Sequence, residues 1–121
     1  MNSRQLSNDI SNAVEQSTDR LIELCSRLIN IESVTGNEKA VQDEVAAILR
    51  EIGFEVDMWE PDDDEMRKYP LFSETGESFK DRPVVVGKLK GLNPSKGKSL
   101  LINGHVDVVT PEPLSKWKTE P

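Results

Sequence analysis

One cysteine and one histidine occur among 121 residues. A single cysteine, Cys25, excludes an intrachain disulfide and any metal site built on a cysteine pair. Such usage accords with a reducing compartment. Aromatic side chains make up only 5% of the chain, and no basic stripe interleaves with them. Positive charge is in deficit as well: 15 Lys and Arg stand against 22 Asp and Glu, a net charge of −7. An acidic chain is a poor electrostatic match for nucleic acid or an anionic membrane. No apolar run approaches the length of a membrane span. The first residues, "MNSRQLSNDI", lack the apolar centre of a secretory signal. The expectation is a soluble, cytoplasmic protein with neither nucleic-acid nor membrane partners.

What remains is enough for a modest core, with 36% hydrophobic residues. Ile10, Val14, Leu21, Leu24, Leu28 and Ile31 recur at helical spacing, so residues 9 to 31 read as a helix. Ser17 and Thr18 weaken its middle and allow a start near Thr18. Cys25 beside that stripe reads as a small buried side chain rather than a reactive thiol. "TGNE", Thr35 to Glu38, fits a reciprocal capping box. A second helix follows, with Val41, Val45, Ile48, Leu49 and Ile52 on one face and Gly53 placed to end it in a left-handed conformation.

"FEVDMW" alternates as a half-buried strand. Residues 60 to 82 form an excursion whose acidic run, Asp62 to Glu65, lacks the calcium-loop pattern and reads as a solvated loop. "RPVVVGKL" is a second strand, with Pro83 tolerated at its start. "KGLNPSKGK" is a turn-rich connection. "SLLIN" is a third strand, whose consecutive apolar residues suggest burial on both faces. The fold class is therefore α/β, two helices followed by three strands.

The histidine lies just beyond that third strand, in "SLLINGHVDVVTPEP". Continued strand geometry through Gly104 puts His105 and Asp107 on one face at a strand's carboxyl end, where open α/β sheets bind ligands. A neutral imidazole can bind a metal through one nitrogen while a carboxylate accepts from the other. A His–Asp pair can also serve a serine nucleophile, but no G-x-S-x-G elbow is present. An isolated H-x-D is weakly specific, and by itself reads as a satisfied structural histidine. The bland alternative is a non-catalytic α/β interaction module in which His105 is structural.

The apolar strand, glycine, H-x-D, two valines and proline-rich loop together are more distinctive. "LLINGHVDVV", followed by the Trp and Pro of "SKWKTEP", resembles the first metal motif of the M20 zinc metallopeptidases, which include acetylornithine deacetylase, succinyl-diaminopimelate desuccinylase, aminoacylases and glutamate carboxypeptidases. The order of "LINIESVTGNE", "LREIGFEVD" and two strands is similar too, from about residue 18 onward. The resemblance implies a mixed-sheet catalytic domain with a di-zinc centre, His105 as a ligand to one zinc and Asp107 as the neighbouring catalytic aspartate. It implies hydrolysis of amide bonds in N-acyl amino acids or small peptides, with a homodimer possible for the full-length protein. It also implies that residues 1–121 are the amino-terminal part of the catalytic domain. The other zinc ligands, the general base and the lid domain would lie in later residues. One imidazole and one supporting carboxylate cannot complete a zinc site, so the expectation for these residues alone is weak zinc binding and no hydrolysis.

Overall fold

The computed structural model describes residues 2–74, 76–92 and 97–121. It divides into two compact units, residues 1–31 and 32–121.

The first unit is a pair of helices, α1 (Ser3–Gln16) and α2 (Thr18–Ile29). Asn2 opens α1 by accepting from the Arg4 N–H at 3.2 Å. The break falls where hydroxyl side chains compete for backbone carbonyls. Ser17 Oγ donates to the Ala13 carbonyl and Thr18 Oγ1 to that of Glu15, each at 2.8 Å. The single long helix of the periodicity is thus two, with the second starting at Thr18. Neither helix contains a buried residue; Leu6, Ile10, Val14, Leu21, Ile22 and Ile29 are all exposed. Cys25 is exposed as well, contrary to its sequence reading, on a shallow apolar groove along α2. The apolar stripe is real, but within this unit nothing covers it.

The second unit contains the core. Helix α3 (Lys39–Glu51) lies against a two-stranded antiparallel sheet of β1 (Glu55–Trp59) and β2 (Val84–Lys88). Val41 and Ala46 of α3 are its buried apolar centre. The helix ends as its glycine predicts. Gly53 has φ +89°, its N–H donates to the Arg50 carbonyl, and the Phe54 N–H donates to that of Leu49. The register pairs Glu55 with Lys88 and Trp59 with Val84. Val56, Met58, Val85 and Gly87 are the half-buried positions of the alternating strands. Gly87 admits the Phe54 ring and Leu49 against β2; a Cβ there would lie 2.9 Å from Phe54.

The excursion between the strands is more ordered than a solvated acidic loop. Asp62 caps a short helix, α4 (Asp63–Met66), by accepting from Glu65 N–H at 2.9 Å. Asp63 accepts from the Phe79 N–H at 2.8 Å and from Ser78 Oγ at 2.7 Å. These bonds, the backbone one foremost, hold the Asp63 carboxyl below its ordinary value.

The third strand is a correction. Residues 98–107 join no ladder among the described residues, and Leu100, Leu101 and Ile102 are 84%, 87% and 86% exposed. A strand needs at least one hydrogen-bonded neighbour, and three successive apolar side chains are all buried only where both faces are covered. Here the sheet is β1 paired with β2, and among the described residues no partner strand pairs with the segment. Residues 93–96 of the expected turn-rich connection lie outside the described residues.

The candidate His–Asp site

Two stretches 72 residues apart in sequence meet at the site. Segment 33–35 runs parallel to residues around Val108 through a single bridge between Val34 and Val108. The Val108 N–H donates to the Ser33 carbonyl at 2.9 Å, and the Thr35 N–H donates to the Val108 carbonyl at 3.1 Å. Of the three residues that form these bonds, Ser33 is buried, while Thr35 and Val108 are exposed. The pair is therefore placed by a backbone clamp beside α3, and not by the end of a third strand.

His105 and Asp107 are in contact. The imidazole Nδ1 lies 3.0 Å from Asp107 Oδ1 and 3.1 Å from the Asp107 backbone carbonyl. Both partners are acceptors when the acid is ionised, so a neutral ring satisfies them only by carrying its proton on Nδ1. The lone pair is then on Nε2. The His105 side chain is 84% exposed, whereas that of Asp107 is 33% exposed. The acid is the held member of the pair and the ring is the presented one.

Asp107 is held from its other side by Thr35, whose hydroxyl donates to Oδ2 at 2.9 Å. The Thr35 hydroxyl bond, more than the one from His105, keeps the Asp107 carboxyl below its ordinary value against the opposing effect of desolvation. Thr35 is accordingly not the helix cap that "TGNE" suggests. Helix α3 starts at Lys39, its cap position is Glu38, and no side chain bonds that end.

Glu38 instead turns inward. Its carboxylate accepts from Arg82 Nε at 2.8 Å and Nη2 at 2.7 Å, a two-pronged ion pair, and from the Gly36 N–H at 2.9 Å. Glu38 is buried and Arg82 nearly so, with side chains 7% and 19% exposed. Burial pushes the Glu38 carboxyl up, but the Arg82 and backbone hydrogen bonds together outweigh it and leave it below its ordinary value. Arg82 also donates to the Ser78 carbonyl and lies over the Phe79 ring, 6.0 Å from its centroid. Through Gly36, this pair fixes the turn that follows Thr35. Sequence reading missed Thr35, Glu38 and Arg82 as site supports. Their one local signal, the capping-box spacing, pointed to a different partner.

A neutral imidazole whose Nδ1–H meets a carboxylate is the donor chemistry that suits zinc, and His105 would be the residue to hold it. The described residues gather no group of three or more His, Cys, Asp or Glu side chains able to hold a metal ion.

Also among the described residues, no helix is long and apolar enough to cross a membrane. No protein-family model matches the chain, and no solved structure matches it. Three curated proteins do. An N-formyl-4-amino-5-aminomethyl-2-methylpyrimidine deformylase of Bacillus subtilis is 34% identical over 111 residues, 89% of this chain and 22% of that protein. The deformylase of the same description from Halalkalibacterium halodurans is 31% identical over 85 residues, 70% of this chain and 16% of its own length. A succinyl-diaminopimelate desuccinylase of a Wolbachia from Brugia malayi is 28% identical over 100 residues, 83% of this chain and 20% of that protein. Through most of its length, the chain is similar to hydrolases of N-formyl or N-succinyl small molecules, and it spans about a fifth of theirs.

Proposed function

We propose that this chain is the part of an M20-type zinc amidohydrolase that contributes His105 as a metal ligand and Asp107 as its catalytic aspartate. The proposed reaction is hydrolysis of the amide bond of a small N-acyl compound. The carrying observation is the posture of His105: its Nδ1 is engaged by Asp107 at 3.0 Å while the ring is 84% exposed. A structural histidine, as in the interaction-module reading, would be expected inside a core with both nitrogens satisfied. The similarity to a pyrimidine deformylase and a desuccinylase supports the substrate class.

Zinc bound at such a site lowers the pKa of a water and polarises the acyl carbonyl. The contributions of this chain are positional. Asp107 keeps the proton on His105 Nδ1 and so keeps Nε2 available as a donor atom. The other ligands and the general base belong, in this reading, to residues beyond the fifth of the relatives' length that the chain spans.

The test is an assay of the zinc-loaded complete enzyme on N-formyl and N-succinyl derivatives of small amines, alongside unacylated dipeptides. Release of formate or succinate with little dipeptide cleavage is the expected outcome. Preference for dipeptides would move the reading to a peptidase, and activity indifferent to chelation would overturn the zinc assignment.

A further inference from the structure

Thr35 belongs to no part of the site that the H-x-D motif announces, yet it makes the longest-range side-chain contact there. Its hydroxyl donates to Asp107 Oδ2 at 2.9 Å, while Asp107 Oδ1 faces His105 Nδ1 at 3.0 Å. The hydroxyl and the ring thus occupy different oxygens of one carboxylate. Such an arrangement fixes the plane of the acid as well as its position, because a carboxylate bonded through a single oxygen can still swing about its side-chain torsions.

The hydroxyl is itself aimed by backbone. The Thr35 N–H donates to the Val108 carbonyl and the Val108 N–H to the buried Ser33 carbonyl. On the other side of the turn, the Gly36 N–H donates to Glu38 at 2.9 Å, and Glu38 is locked to Arg82. Gly36 has φ +99°, a left-handed conformation that lets the chain reverse immediately after Thr35. Bonds on both flanks therefore direct one short, β-branched side chain with few rotamers.

We infer that Thr35 is a positioning residue for the His105–Asp107 pair, setting the orientation of the carboxylate that faces the ring. The inference rests on the amidohydrolase reading for its purpose, but its geometry is testable without zinc or substrate. A valine at position 35 keeps the shape and removes the donor; a serine keeps the donor and removes the methyl.

The experiment is NMR on the metal-free, isotopically labelled chain, with the ring neutral. Because the chain has one histidine, its imidazole nitrogens give one unambiguous set of signals. Scalar couplings report whether the Asp107 side chain holds one rotamer. The expected wild-type result is one Asp107 rotamer and a dominant Nδ1–H tautomer. Thr35→Val should average the Asp107 rotamers and shift the ring-nitrogen signals, while the Asp107 backbone carbonyl at 3.1 Å still accepts from Nδ1–H; Thr35→Ser should retain the wild-type couplings and shifts. A Thr35→Val chain with unchanged couplings and ring shifts would overturn the inference. So would averaged Asp107 couplings in the wild type, a result that does not depend on whether any variant folds. These readouts stay the same whether or not the complete protein proves to be a hydrolase, so failure of one reading is distinguishable from failure of the other.

Discussion

On the amidohydrolase reading, replacing His105 with alanine is expected to lower the zinc affinity of its site and the hydrolytic rate of the complete protein by more than about 100-fold. Loss of a supporting partner of a ligating histidine costs about 10–100-fold, and loss of the ligand itself should exceed that. The same substitution should change stability by less than about 0.5 kcal/mol, because an exposed ring away from the core supports little packing. Asp107→Asn should fall within the range of about 10–100-fold. It keeps the shape of the acid, but its amide can turn a donor toward Nδ1 and favour the wrong tautomer. Zinc analysis of each variant beside its urea denaturation midpoint separates these effects from unfolding. Unchanged metal content with a large loss of stability would instead identify His105 as structural.

The second large effect concerns stability. Glu38→Ala leaves the Arg82 guanidinium nearly buried without its carboxylate. Breaking such a pair from one side costs about 3 kcal/mol, read as a lower urea midpoint at unchanged slope. Replacing Glu38 and Arg82 together with methionine should cost much less than the sum of the single changes, since no charge is then stranded. The pair also has a pH signature. The Glu38 carboxyl is held below its ordinary value of 4.5 in the folded state. Its contribution to stability is therefore complete above that value and is lost as pH falls through the lower, folded one. Glu38→Gln should remove part of the acid sensitivity below about pH 4, leaving a shallower decline from the remaining carboxylates.

How much of this was legible in the sequence depends on the range of the interactions involved. Helix α3 and its end are written locally: apolar residues at helical spacing and one glycine suffice, and Gly53 adopts the left-handed conformation expected. Strands β1 and β2 follow from alternation and from Pro83 at a permitted place. The break between α1 and α2 was signalled by Ser17 and Thr18, whose hydroxyls do compete for carbonyls. The expected strand at 99–103 failed because three adjacent apolar residues specify burial without supplying the neighbours that make a strand. The stripe of α1 and α2 failed as a core for the same reason.

At the site, contact between His105 and Asp107 was legible from proximity, although a bifurcated Nδ1 contact, not strand periodicity, brings them together. Thr35, Glu38 and Arg82 were not legible in those roles. The Glu38–Arg82 bond spans 44 residues and that of Thr35 with Asp107 spans 72. No periodicity encodes such separations, and the local capping rule competes for the same two side chains, Thr35 and Glu38. The rule lost because a carboxylate beside a guanidinium gains more than one beside a helix N-terminus.

The account stands on Nε2 of His105 being offered as a metal donor while Asp107 holds Nδ1. Titrating zinc into the labelled chain and following both ring nitrogens tests this most directly. The account predicts that zinc shifts the Nε2 signal, leaves the proton on Nδ1, and does not saturate at one equivalent, because one imidazole is a fraction of the four ligands zinc takes. Zinc that displaces the Nδ1 proton, or that leaves both nitrogens unperturbed, would contradict it.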